Sequence, residues 1–239
     1  MSRFVVQVFK RIILPIAVLL LAMIGLGLLV TKVFAHTWPF TVEDGVDRGF
    51  AGERTGGWSA VSLFFSTLAS TPVIIAVTAA VAVVLRLVLK RWREPLFLCA
   101  AVCAQAVVFF FTTLFIDRSR PDVPKMDESP PTSSFPSGHT SAAFALYVGL
   151  ALVLALQVRR TWLKVICWSL VLVPVAVALA RLYRGMHHPS DVTASFVNGA
   201  ICITVMARAI LDRAVRWALP SRRPPRAQAS RPTTPSAAA

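Results

Sequence analysis

The chain has 239 residues, is 56% hydrophobic by composition and carries a formal net charge of +14, yet only 15% of its residues are charged. A basic nucleic-acid-binding domain spreads its Lys and Arg over a polar surface, so this composition argues against a nucleic-acid partner. A mean hydropathy of +0.68 is too apolar for a water-soluble globule, and the apolar content sets disorder aside; what is left is the membrane class, with the lipid bilayer as partner.

A membrane-crossing helix needs about 20 mostly apolar residues. Residues 12–30 are uncharged and follow Arg3, Lys10 and Arg11. They predict a first span over about 12–33, read as an uncleaved signal anchor because the run outlasts the apolar core of a cleaved signal. Residues 55–85 are uncharged throughout, too long for one straight span. Ser59, Ser62, Ser66 and Ser70 make 58–70 an interfacial helix, and a second span over 71–90 opens at Thr71-Pro72, a cap and first-turn pair. Further spans are predicted over 95–116, 139–158, 162–180 and 189–211, the last two lengthened by snorkelling Lys164, Arg181 and Arg208. The expectation is an all-α, six-helix membrane bundle forming one domain over 1–219. Residues 220–239, rich in Pro, Arg and Ala, read as a disordered basic tail. Cys99, Cys103, Cys167 and Cys202 all fall inside spans and read as small buried apolar residues.

Six spans put both termini on one side. That side collects 17 of the 25 Lys and Arg, the other eight, so the termini are expected in the cytoplasm and the location is the plasma membrane. The outer side then holds three unusual clusters: Asp117-Arg118-Ser119-Arg120-Pro121, Pro136-Ser137-Gly138-His139, and the stretch from Arg181 to Asp191. Arginine forks match phosphate oxygens and stay charged at any usable pH. Ser137 and Gly138 open a helix, where free backbone N–H groups favour an anion, and Gly138 lets an oxyanion approach closely. His139 and His187 are candidate nucleophile and proton donor. Asp191, four residues after His187, is placed to fix its tautomer. His188 beside Pro189 reads as a cap of the last span, and Asp122, Asp127 and Glu128 as a solvated loop face. No carboxylate cluster suited to Mg²⁺ and no Cys/His zinc spacing is legible, so no cofactor is expected.

The three clusters together resemble the type-2 phosphatidic acid phosphatase superfamily, membrane lipid phosphate phosphatases related to vanadium haloperoxidases. The family pattern is Lys-x6-Arg-Pro, then Pro-Ser-Gly-His, then Ser-Arg-x5-His-x3-Asp. Arg120-Pro121, residues 136–139, and Arg181, His187 and Asp191 match it, and the resemblance covers roughly 58–208. Two positions depart: Thr113 stands where the lysine would fall, leaving Arg118 or Lys125 as its stand-in, and Ala180 replaces the serine. The resemblance implies metal-independent hydrolysis through a phosphohistidine at His187. Asp191 would orient that ring and His139 would protonate the leaving oxygen. Arg120, Arg181 and the Ser137 and Gly138 N–H groups would hold the phosphoryl oxygens. The implied substrate is a membrane lipid phosphate, first a polyprenyl (undecaprenyl-type) diphosphate, then phosphatidic acid or phosphatidylglycerol phosphate. Two alternatives remain: a lipid phosphotransferase, and, because of Thr113, a non-catalytic lipid-phosphate-binding protein.

Overall fold

A computed structural model describes residues 2–35, 37–128, 132–212 and 217. The expected tail, and the boundary at 219, lie outside these residues. Six helices are long and apolar enough to cross a membrane: α1 (Arg3–Val33), α4 (Thr71–Leu89), α5 (Arg93–Phe115), α6 (Gly138–Gln157), α7 (Thr161–Tyr183) and α8 (Pro189–Leu211). Between α1 and α4 lie two shorter helices, α2 (Glu43–Gly52) and α3 (Gly56–Leu68). The all-α six-span class is therefore the observed one, and the chain is a multi-span membrane protein.

The helices divide by how much protein surrounds them. More than half of the apolar stretch of α6 is buried (56%), against 17% in α1 and α4. Small residues explain the centre: Ala143, Ala145, Gly149 and Ala151 let α5 and α8 approach α6, and in lipid such close packing drives association. Phe97, Leu98, Val108, Leu146 and Cys202 fill the space between them. Asn198 of α8 donates to Ser141 Oγ of α6 at 2.8 Å and to the Gln105 carbonyl of α5 at 3.3 Å, tying the three inner helices below the loops. The outer helices instead turn Leu21, Leu87, Val88 and Leu172 outward, where hydrocarbon solvates them.

Some details differ from expectation. Ser70, not Thr71, holds the N-cap of α4, with Thr71 and Pro72 in its first turn. The cysteines are free, but only Cys202 is buried; Cys103 is exposed on the bundle surface. Helix α2 has no counterpart among the predicted elements. Its sequence, with three glycines and four charges in ten residues, reads as a loop, and tertiary ion pairs hold it in place.

Candidate active site

The loop leaving α5 carries two arginines with different fates. Arg118 Nη1 binds Asp191 Oδ1 and Ser190 Oγ (2.7 Å), while its Nη2 binds Glu43 Oε2 at 2.6 Å. The other oxygen of Glu43 accepts the Ser190 N–H at 2.7 Å. Arg118 is thus committed to two carboxylates and does not stand in for the missing lysine. Thr113 does not either: its hydroxyl donates to the Phe110 carbonyl of its own helix at 2.7 Å. Lys125 is exposed on the loop. Arg120 by contrast makes one hydrogen bond among the described residues, Nη1 to the Met186 carbonyl at 2.7 Å. Burial lowers its pKa, without removing its charge at neutral pH.

His187 is buried, and its Nδ1 lies 2.7 Å from the Ser134 carbonyl oxygen. A carbonyl only accepts, so Nδ1 carries the proton and Nε2 presents a bare lone pair. Asp191 Oδ2 is 3.8 Å from the same nitrogen, an electrostatic neighbour and not the hydrogen-bond partner. The tautomer is therefore set by Ser134, not by Asp191 as the spacing suggested. A backbone carbonyl leaves no trace in residue type, which is why sequence reasoning misses it. Burial, the largest influence, pulls His187 down to about 4; Asp191 opposes this, and the cations Arg181 and Arg120 assist it. The ring is neutral at pH 7. Asp191 itself accepts the His188 N–H at 2.8 Å through Oδ2, which caps the start of α8.

Arg181, expected to snorkel, is instead buried, with Nη1 bound to Asp127 Oδ2 and Ser66 Oγ, both at 2.7 Å. Its Nε is buried with no partner among the described residues. Asp127 is not part of a solvated face. Its Oδ1 receives Arg184 Nε at 2.8 Å and Nη2 at 2.5 Å, and Ser66 donates to its Oδ2 at 3.1 Å. Burial alone would raise this carboxyl, but Arg184 and Arg181 hold it below the usual carboxylate range. Gly185 makes the arrangement accessible: it turns the chain at φ +69°, and an added Cβ there would meet Val123 at 2.7 Å.

At the start of α6, Ser137 caps the helix, its Oγ accepting from the Thr140 N–H at 3.4 Å. Its own N–H points to the Asp191 carbonyl at 3.4 Å, so it is not a free donor. Gly138 owes its size to packing: an added Cβ would meet the Phe109 ring at 2.8 Å, so a ring and not an oxyanion occupies that side. His139 follows, half-buried and without a hydrogen-bond partner among the described residues. The charges it feels are those of Arg181, His187, Asp127 and Arg120, so the three sequence clusters converge. On the α2 side, His188 Nδ1 meets Asp47 Oδ2 at 2.7 Å. Burial opposes protonation of His188, but Asp47 and Asp191 outweigh it and raise its pKa. An ion pair by itself would lower Asp47; burial outweighs the pair and raises it as well. Asp44 joins these two with ligand atoms within 4.8 Å, a grouping that the sequence did not suggest.

A cavity of about 660 Å³ lies between α2, α3 and α7, lined by Val46, Phe50, Trp58, Phe65, Leu179 and Tyr183 among others.

Comparison with known proteins places this geometry. The family model of the PAP2 superfamily matches residues 94–214, half of the chain, and the chain belongs to that superfamily. The fold is similar to the crystal structure of a transmembrane PAP2-type phosphatidylglycerolphosphate phosphatase from Bacillus subtilis, with a TM-score of 0.65 at 19% identity, over 87% of this chain and 96% of that one. It is also similar to Aquifex aeolicus LpxE, with a TM-score of 0.56 at 23% identity, over 71% of this chain and 97% of the other. Helices α2 and α3 fall outside the family-matched residues.

Proposed function

We propose that the protein hydrolyses a phosphomonoester or diphosphate on a membrane lipid, without a metal, through a phosphohistidine on His187. The observation that carries this reading is the neutral His187 ring. Its proton is held on Nδ1 by Ser134 and its Nε2 is bare, in the field of Arg120 and Arg181. Nε2 attacks phosphorus, the bond from phosphorus to the lipid oxygen breaks, and His139 gives that oxygen a proton. In the second half His139 takes a proton from water, whose oxygen attacks the phosphohistidine and frees phosphate and the ring. Asp191, backed by Arg118, stabilises the imidazolium electrostatically. Arg120, the donors of Arg181 not taken by Ser66 and Asp127, and the helix start at Gly138 take the phosphoryl oxygens, the dominant contribution expected in phosphoryl transfer.

The apolar cavity between α2, α3 and α7 supports a lipid substrate, since a hydrocarbon tail fits there. A polyprenyl diphosphate leads, by family resemblance. Phosphatidic acid and phosphatidylglycerol phosphate follow, the latter being what the Bacillus subtilis relative's name states for that protein. The 17-to-eight division of Lys and Arg supports cytoplasmic termini and a site on the outer face of the plasma membrane, in one domain ending near residue 219. Thr113, turned back on its own helix, supports a second reading, a lipid-phosphate binder without turnover. The test is phosphate release from a panel of lipid phosphates by purified protein in EDTA. Turnover that His187→Ala abolishes is expected. Turnover surviving in that variant overturns the nucleophile, strict Mg²⁺ dependence overturns the metal-free route, and binding without turnover favours the second reading.

A further inference from the structure

We infer that Asp127 is a positioning residue for Arg181, and that Arg184 keeps it from repelling the substrate. The inference rests on the phosphatase reading and deepens it. A guanidinium held by one acceptor only can swing about its stem. Arg181 is held at Nη1 by both Ser66 and Asp127, and Asp127 is itself held at its other oxygen by two nitrogens of Arg184. The anchoring thus uses Nη1 and leaves Nε, buried, and Nη2 without a partner among the described residues, as the donors with capacity to spare. A buried donor without a partner is costly, and a phosphoryl oxygen removes that cost.

Charge explains why a carboxylate is tolerated beside an anion site. Asp127 and Arg181 alone would sum to zero. Arg184 restores one positive charge to the cluster, and Ser62 Oγ, 3.2 Å from its Nη1, and the Met126 carbonyl, 2.9 Å from its Nη2, occupy further donors of its fork. Two roles follow that pull apart on mutation. Asp127 supplies direction, which matters most when equatorial oxygens must meet a fixed donor in the transition state. Arg184 supplies net charge, which matters for any bound phosphate.

The test measures the inhibition constants of inorganic phosphate, a ground-state ligand, and of orthovanadate, which adopts the five-coordinate geometry of the transition state. Both are equilibrium constants and do not depend on how much enzyme is folded. Asp127→Asn is expected to weaken vanadate about tenfold, the worth of one charge-assisted hydrogen bond, with phosphate unchanged or tighter. Asp127→Glu is expected to restore vanadate binding. Arg184→Met, which leaves the Asp127–Arg181 pair intact, is expected to weaken both ligands. Unchanged vanadate binding in Asp127→Asn overturns the inference while leaving the phosphatase reading intact. Equal weakening of both ligands there would make Asp127 a mere structural tie, and equal tightening would make it a competing anion; either overturns the positioning role. A wild-type protein that neither turns over lipid phosphates nor binds vanadate overturns the phosphatase reading, and this inference with it.

Discussion

The two ends of the helix bundle treat positive charge in opposite ways. At the end that carries the site, Arg118, Arg181 and Arg184 are almost fully withdrawn from solvent, and each meets a carboxylate. At the other end Arg91 pairs with Glu94 at 2.6 Å but stays 43% exposed, and Arg86 lies over the Trp92 ring at 5.0 Å. The exposed charges contribute little to the fold. The buried ones are held in one geometry, because an unpaired ion in that setting is costly.

That contrast can be broken most severely at Arg118. Arg118→Met leaves Glu43 and Asp191 buried without their cation, and a loss of about 3–5 kcal/mol is expected, read as a large drop in the unfolding midpoint in detergent. A midpoint within a degree of wild type would mean that the network is not holding α2 against α8. A smaller effect is expected from pH, with two neighbouring histidines acting in opposite directions. His188 is raised above 6.5, so its contribution is fully present below that value and is lost as pH rises through the folded value; Asp47, also raised, acts in the same direction. His187 is lowered, so stability from that site is lost as pH falls from 6.5 toward about 4. His188→Asn should flatten the alkaline slope of the unfolding midpoint and leave the acidic one; an unaltered alkaline slope would assign it elsewhere. The smallest effect is expected at the opposite end, where Arg91→Gln should cost at most about 1 kcal/mol, and less in high salt. A loss as large as that of Arg118→Met would erase the distinction between the ends.

The spans and the three clusters were legible because both are local. Charge-free runs of sufficient length can do little but cross a bilayer, and His187 and Asp191 are only four residues apart in the chain. What was not legible lies far apart in the chain. Asp127 reaches Arg181 across 54 residues, Ser134 reaches His187 across 53, and Glu43 reaches Ser190 across 147. A carboxylate in a polar loop reads as solvated until the arginines that bury it are seen, and a backbone carbonyl has no signature at all. Gly138 shows the same limit: the motif suggests room for an oxyanion, and the fold fills that side with Phe109.

Apolar run length and motif spacing by themselves determined a six-helix membrane protein with histidines and arginines gathered at one end. Only the tertiary structure decided which nitrogen of His187 is bare, which arginine keeps a free donor and which is consumed by carboxylates. Those choices depend on hydrogen-bond partners brought together by packing, and in a buried site each donor must take whatever acceptor the fold sets beside it.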